Sequence, residues 1–328
     1  MTDQESSYFY YPTTTVIIDD DKEFLDNLNL SLNLQDDKLV KTFLDPKQAL
    51  SYLESQNSIY KNYQNYLEVI NGIETDSDDK DKISKINFNN IWTLPYDEKR
   101  YSEVSVIVVD YFMPQMNGID FFKKIKNILA KKILLTGNAD YKLAVSAFND
   151  GLIDKFIIKE EGIEENLFES INTFKKRYFQ EFSETLLHVF DKGIKKAPQY
   201  TSIAFIWRTK NKISEYYQYD GDGSCLGVDS TGSIHWLLIC SEKDMHDYIS
   251  IAEDSEEGSL IANELKLKTK LLFFFSDEEK LLPVQAWTKY TFPIHGDFKI
   301  DNDIYFYSFV SNTTLGVDLA RIKIIAKA

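Results

Sequence analysis

The chain has 328 residues and 43% hydrophobic content, enough for two globular domains with cores of their own. Its formal net charge of −15 opposes broad, non-specific nucleic-acid binding, which relies on neutralising phosphates, but allows a small basic face. A polar, acidic start, no apolar run near the ~18 residues of a membrane span and no CxxC pair predict a reduced, cytoplasmic protein without membrane segments.

The first domain is predicted to alternate strands and helices. A strand at 14–18 precedes an acidic turn and a helix with Phe24 and Leu25 on its apolar side. "KLVKTFLD" is a second strand, followed by a helix with Pro46 in its first turn. Further strands are expected at 104–109, at 131–137 and in "DKFIIKE". This rhythm predicts an α/β fold with a parallel sheet and helices on both faces.

One interval is longer than this pattern requires. The distance from Asp20 to Asp110 exceeds the roughly 45–50 residues that two βα units need. The excess, at about 56–103, contains a predicted helix in "SIYKNYQNYLEVING" and an acidic segment, "ETDSDDKDK", that is predicted to be disordered. We interpret it as an insertion that forms a solvated loop in preference to a docking element.

A long helix is predicted from 163 to 192, because apolar residues recur in steps of three or four. The first domain is expected to cover only the first half of this stripe. Tyr178, Phe182, Leu186 and Val189 would then need a partner, which predicts a homodimer through 163–192. The alternatives are an output domain that folds back over the stripe and a helix that simply ends the fold.

Residues 193–328 mix strands and helices without strict alternation, which predicts an α+β output domain. "SCLGVDSTGSIHWLLICS" has the pattern of a hairpin. "YDGDGSCLG" resembles a calcium loop but lacks its glycine and closing glutamate, so we interpret it as a turn. "KLKTK" (266–270) is the one basic patch, interpreted as a solvated helix face.

Polar residues follow several strands of the predicted sheet. In "VIVVDYFMPQMNGIDFF" (106–122) a buried strand ends in Asp110, and Pro114 and Gly118 break the chain before a helix. Because parallel strands place their carboxyl ends at one edge, that edge collects Asp19, Asp20, Asp110, Thr136 and Lys159. Three converging carboxylates suit Mg²⁺, and a lysine with a hydroxyl suits an anion. The set predicts transfer of a phosphoryl group to Asp110.

These fragments resemble the receiver domain of two-component response regulators, over about residues 13–175. "VIIDD" is similar to the family's acidic pair, "VVDYFMPQMNG" to its phospho-acceptor motif, "LLTG" to its hydroxyl position and "FIIK" to its lysine strand. The resemblance implies a doubly wound, five-stranded flavodoxin-like sheet. It also implies that Asp110 accepts a phosphoryl group from a sensor histidine kinase or a phosphotransfer protein.

The resemblance further implies roles for individual residues. Mg²⁺ would be held by Asp19, Asp20, Asp110 and the main-chain carbonyl of Phe112. Thr136 and Lys159 would contact the phosphoryl oxygens, and Phe156 stands at the position of an aromatic switch residue or belongs to the ordinary core. Asp20 could instead belong to a capping box, and Asp21 is interpreted as a helix-start residue. The family usually has proline after the lysine, whereas Glu160 follows Lys159 here.

The predicted domains are a receiver domain at 13–162 with the insertion at 56–103, a linker or dimerisation helix at 163–192 and the output domain at 193–328. This layout is also similar to quorum-sensing response regulators. The leading hypothesis is a regulator of gene expression whose phosphorylation switches dimerisation and an output domain that binds DNA or protein. The alternative is a phosphorylation-switched enzyme or nucleotide-binding output domain.

Overall fold

The structure is a computed structural model that describes residues 7–34, 39–56, 65–70, 83–137, 141–187, 197–255 and 257–324. Within these residues no helix is long and apolar enough to cross a membrane. The chain forms two compact units. Residues 11–65 and 99–185 form the parallel-sheet unit, and residues 1–10, 66–98 and 186–328 form the antiparallel-sheet unit.

The strands are numbered in chain order: β1 (Phe9–Tyr10), β2 (Thr14–Ile18), β3 (Val40–Phe43), β4 (Leu67–Ile70), β5 (Ile83–Ile86), β6 (Val104–Asp110), β7 (Lys131–Thr136), β8 (Lys155–Ile158), β9 (Ile213–Gln218), β10 (Cys225–Asp229), β11 (Ile234–Ser241), β12 (Lys270–Leu272), β13 (Thr291–Pro293), β14 (Gly296–Ile300) and β15 (Asp303–Ser311). The α-helices are α1 (Lys22–Leu34), α2 (Pro46–Ser55), α3 (Phe88–Thr93), α4 (Gly118–Lys124), α5 (Tyr141–Asn149), α6 (Ile163–Leu187), α7 (Pro198–Lys210), α8 (Glu242–Glu253), α9 (Ser259–Lys266) and α10 (Asp277–Lys280).

The parallel-sheet unit has five strands in the order β3-β2-β6-β7-β8, all parallel. Every residue of β2 and β6 is buried, because helices cover both faces of the sheet. One core cluster joins the sheet to α2, α4 and α5, and a second joins it to α1 and α6. This strand order is that of a flavodoxin-like, doubly wound sheet, so the predicted fold class is confirmed.

Helix α6 ends at Leu187, and the predicted continuation through 188–192, with Val189, lies outside the described residues. Tyr178, Phe182 and Leu186 are at most 1% exposed, so the expectation that these three side chains are left uncovered is wrong, and the homodimer stays a prediction.

Segments that precede the sheet strands provide part of this cover. Tyr178 donates a hydrogen bond to the Glu103 carboxylate, just before β6. The ring of Phe179 packs edge-to-face on Tyr11, just before β2, with 4.8 Å between centroids. The unit therefore extends beyond its sheet along the second half of α6, where these two contacts cover part of the helix.

The predicted insertion is only partly a loop. Where the sequence predicted a helix, Leu67–Ile70 is a strand that pairs antiparallel with Ile83–Ile86. Ile91 on α3 is fully buried, and Trp92 stacks on Trp236 with 5.6 Å between ring centroids. The interpretation as a solvated loop is therefore wrong for this helix, which packs within the antiparallel-sheet unit. The acidic segment 74–82 lies outside the described residues.

The antiparallel-sheet unit contains a six-stranded sheet in the order β1-β9-β10-β11-β15-β14, with every pair antiparallel. Tyr200 and Trp207 attach α7 to one core that includes Leu237, Ile239 and Phe298. The predicted hairpin is present as β10 and β11, and the mixture of helices with an antiparallel sheet confirms the α+β prediction. The first strand of this sheet comes from the N-terminal end of the described chain, whereas the predicted output domain began at 193.

We expect Phe182→Ala to lower the free energy of unfolding of the parallel-sheet unit by about 3–5 kcal/mol, the usual cost of removing a buried phenylalanine ring. Chemical denaturation measures the loss, and light scattering should show an unchanged mass. Phe148→Ala is the matched control, because Phe148 is 49% exposed and should lose less stability. Equal losses in the two variants, or a change of mass in Phe182→Ala, would contradict the assignment of Phe182 to the core.

Candidate functional site

Three carboxylates meet at the carboxyl edge of the parallel sheet. Strands β2 and β6 are neighbours, with Ile18 opposite Val109, so the residues that end them lie side by side. Carboxylate oxygens of Asp19, Asp20 and Asp110 lie within 4.8 Å of one another. Asp20 is exposed, whereas Asp19 and Asp110 are 1% and 5% exposed. This arrangement of hard oxygen ligands suits a divalent cation.

Lys159 joins the two buried carboxylates. Its Nζ lies 2.6 Å from Asp19 Oδ2 and 2.6 Å from Asp110 Oδ1. Its backbone N–H donates to the carbonyl of Thr136 (2.8 Å), which ties the residue after β8 to the end of β7. The ammonium group therefore offsets the negative charge that the sheet edge concentrates.

Burial dominates the electrostatics of this site. It raises the pKa of Asp110 and of Asp19 above the usual aspartate range, although the hydrogen bonds and charge of Lys159 act in the opposite direction. Burial alone would lower the pKa of Lys159, but its hydrogen bonds to Asp110 and Asp19 raise it. Lys159 therefore opposes the effect of burial on both carboxylates, and the carboxylates in turn favour its charged form.

The turn after β2 is built by its own aspartates. Asp19 Oδ1 accepts the N–H of Asp21 (3.0 Å), and Asp21 Oδ1 accepts the N–H of Phe24 (3.1 Å). The second bond satisfies a free donor at the start of α1, so the prediction of Asp21 as a helix-start residue is confirmed.

The residues after Asp110 have structural reasons of their own. The N–H of Phe112 donates to the Asp110 carboxylate, while the Phe112 ring is 65% exposed. A Cβ at Gly118 would lie 2.5 Å from the carbonyl oxygen of Asp110, so only glycine permits this close approach. Asn117 caps α4 by accepting the N–H of Asp120 (2.8 Å). The Asn-Gly pair therefore holds the loop that carries Asp110.

Thr136 and Phe156 occupy different surroundings. Thr136 is fully buried at the end of β7, where its hydroxyl donates to the Gly137 carbonyl (3.1 Å). Phe156 is half-buried on β8 and packs edge-to-face on Phe148, with 6.5 Å between ring centroids. The structure thus brings Asp19, Asp20, Asp110 and Lys159 into one cluster, places Thr136 at the end of an adjacent strand and places Phe156 in a separate aromatic contact.

One residue of the site was not singled out from the sequence. The Phe24 ring lies beside Lys159, with 4.6 Å from Nζ to the ring centroid. In the sequence, only its position in the first turn of the helix after the acidic pair indicates that it could belong to the site. The sequence assigned it to the apolar side of that helix, and it does pack against that core.

Candidates in the antiparallel-sheet unit prove to be turn and surface residues. Asp220 Oδ1 accepts the N–H groups of Asp222 (3.0 Å) and Ser224 (2.9 Å), which forms a turn between β9 and β10 as predicted. Burial and the nearby charge of Asp222 raise the pKa of Asp220 to about 7. The three lysines of "KLKTK" all form ion pairs: Lys266 with Glu253, Lys268 with Glu242 and Lys270 with Glu264.

Comparison with known proteins identifies relatives of this fold. No family model matches the chain. The transcriptional regulatory protein FlgR of Helicobacter pylori is 25% identical over 166 residues, which are 49% of this chain and 42% of FlgR, so the chain spans about two fifths of that relative. The solved structure of the Legionella pneumophila response regulator LqsR is 28% identical, covers 98% of this chain and 94% of its own, and has a TM-score of 0.72. The fold and these similarities support a two-component response regulator with a receiver domain, as the sequence predicted.

We expect Asp110→Asn to raise the melting temperature of the metal-free protein near neutral pH. The pKa of Asp110 is higher in the folded protein than in the unfolded chain, because burial disfavours the charged form. At pH values above the folded pKa, ionised Asp110 therefore lowers the free energy of unfolding. The cost disappears as the pH falls through the window between the raised pKa and the usual aspartate pKa, so the gain of the variant should shrink there.

Melting curves in EDTA over a pH series measure this difference. Asp120→Asn is the control, because a hydrogen bond from Lys123 lowers the pKa of Asp120 and its loss gives no stabilisation. A lower melting temperature for Asp110→Asn at neutral pH would show that Lys159 outweighs burial.

Proposed function

We propose that this response regulator is switched when Asp110 accepts a phosphoryl group from a sensor histidine kinase or a phosphotransfer protein. The observation that carries this proposal is the Lys159 ammonium, 2.6 Å from both Asp19 and Asp110 at the carboxyl edge of a parallel sheet. Open α/β sheets bind their ligands at that edge. The similarity to LqsR over nearly the whole chain supports the same class of function.

The transfer requires an ionised nucleophile at a site that can tolerate more negative charge. An oxygen of the Asp110 carboxylate forms a bond to phosphorus while the bond from phosphorus to the donor's imidazole nitrogen breaks. Lys159 counteracts the burial that would protonate Asp110. Once the phosphoryl group is on Asp110, the same ammonium can donate to a phosphoryl oxygen.

The residues present fit a magnesium ion. Asp19, Asp20 and Asp110 offer carboxylate oxygens within 4.8 Å of one another, and the carbonyl of Phe112 follows Asp110 by two residues. These groups would hold Mg²⁺, which supplies positive charge to the phosphoryl oxygens during transfer. Asp19 and Asp110 would then share the roles of metal ligand and lysine partner.

Thr136 and Phe156 are proposed to report the modification to the rest of the chain. The Thr136 hydroxyl donates a hydrogen bond to the adjacent Gly137 carbonyl. A phosphoryl oxygen on Asp110 can take the place of that carbonyl as the acceptor. Phe156 is half-buried on the neighbouring strand β8, so it has room to change its rotamer. A movement of Thr136 toward Asp110 would alter the space beside β8.

For the output we propose a protein target in preference to duplex DNA. The basic patch that the sequence offered, Lys266, Lys268 and Lys270, is neutralised by glutamates on the same unit. DNA affinity depends mainly on cations that are free to contact phosphates. FlgR is named as a transcriptional regulatory protein, and an effect of this chain on gene expression would then pass through a protein partner.

We expect wild-type protein to incorporate label from a small acyl phosphate in the presence of Mg²⁺, and Asp110→Asn to incorporate none. Asparagine keeps the shape of the side chain but removes the nucleophilic carboxylate. Asp120→Asn should be labelled like wild type, because Asp120 is exposed at the start of α4. Wild-type labelling of Asp110→Asn would rule out Asp110 as the acceptor.

We expect Asp20→Asn to weaken Mg²⁺ binding by about tenfold or more, since it removes a charged ligand. Asp20 is exposed, so the substitution should leave the fold intact. Asp26→Asn is the matched control, an exposed aspartate farther along α1. Isothermal titration with Mg²⁺ alone gives the dissociation constants, and equal values for wild type and Asp20→Asn would exclude Asp20 as a ligand.

A further inference from the structure

The ring of Phe24 completes the surroundings of the Lys159 ammonium. A lysine ammonium carries three N–H donors. Two partners are the carboxylates of Asp19 and Asp110, each at 2.6 Å from Nζ. The centroid of the Phe24 ring lies 4.6 Å from the same nitrogen, inside the ~6 Å limit for attraction between a cation and a ring face. The ammonium therefore has an aromatic neighbour as well as two anionic ones.

The position of this ring is determined by the same aspartate that binds the lysine. Asp19 Oδ1 accepts the N–H of Asp21, and Asp21 Oδ1 accepts the N–H of Phe24. The other oxygen of Asp19 accepts from Lys159. The contacts thus form a ring that runs through Asp19, Asp21, Phe24 and Lys159. The Phe24 side chain also packs against the core shared by α1 and α6.

We propose that Phe24 is a positioning residue for Lys159. Its ring holds the Lys159 ammonium at the sheet edge, where the ammonium can donate a hydrogen bond to a phosphoryl oxygen on Asp110. This inference rests on the proposed phosphorylation of Asp110. Lysine has a flexible four-carbon stem, so the two carboxylates alone leave its ammonium free to follow either of them. When a phosphoryl oxygen replaces one carboxylate as the partner of Lys159, the Phe24 ring stays in contact with the ammonium. The ring therefore keeps the ammonium in place while its hydrogen-bond partner changes.

Stepwise fluorination of the ring separates this role from simple packing. Fluorine withdraws electron density from the ring face and weakens its attraction for a cation, while the shape of the ring changes little. We would replace Phe24 in the full chain with 4-fluoro-, 3,5-difluoro- and 3,4,5-trifluorophenylalanine. The rate constant for phosphorylation by a small acyl phosphate with Mg²⁺ should fall with each added fluorine, by about tenfold over the series.

Phe121 is the matched control. It is fully buried in the other core of the same sheet, where it packs edge-to-face on Phe122. The same three fluorinated residues at Phe121 should leave the rate constant unchanged. A rate that is independent of fluorine at Phe24, or that falls equally at both positions, would overturn the proposal.

A second measurement needs neither metal nor phosphodonor. In the metal-free protein the ring current of Phe24 should shift the NMR signals of the Lys159 ε-methylene protons upfield. Phe24→Tyr should keep the shift and Phe24→Leu should abolish it, and an unshifted signal in wild type would overturn the contact. If wild type is never phosphorylated, the proposed function fails together with this role. If it is phosphorylated without dependence on fluorine, only the role of Phe24 fails.

Discussion

The parallel-sheet unit depends on one cation placed between two buried carboxylates. Asp19 and Asp110 are almost inaccessible, and buried charges of one sign destabilise a fold unless a partner offsets them. Lys159 is that partner, and it lies 140 residues from Asp19 in the chain. One ammonium group thereby ties together the ends of β2, β6 and β8. The ammonium that offsets the charge of this sheet edge is also the group that we propose to contact a phosphoryl oxygen on Asp110.

Few residues along the chain separate the antiparallel-sheet unit from the strand that carries Asp110. The antiparallel-sheet unit is assembled from three separate stretches, so the chain passes between the two units near residues 10, 65, 98 and 185. Strand β6, which ends in Asp110, begins only a few residues after one of these passages. The two N-terminal stretches pack within that unit, since β1 pairs with β9 and Trp92 stacks on Trp236. Residues 1–10 and 66–98 thus belong with 186–328 in the antiparallel-sheet unit, whereas the sequence predicted a domain that starts at 193.

Charge pairing shapes the outer surface of the antiparallel-sheet unit as it shapes the site. Its lysines at 266, 268 and 270 are matched by glutamates from α8 and α9, so they add little net positive field. Asp220 shows the opposite situation, because burial beside Asp222 brings its pKa to about 7. The first arrangement is the basis for proposing a protein partner. The second leaves a turn whose charge varies near neutral pH.

The sequence by itself determined the order of strands and helices in the parallel-sheet unit and the residues at its carboxyl edge. Both are encoded locally, in the periodicity of apolar residues and in the turn chemistry around Asp110 and Gly118. Only the tertiary structure decided that α6 is covered within its own chain, that Trp92 is a packing residue and that Phe24 lies beside Lys159. Each of these contacts joins residues far apart in the chain. Local periodicity shows that a side chain is apolar, but the choice of its partner is made by packing and charge in three dimensions.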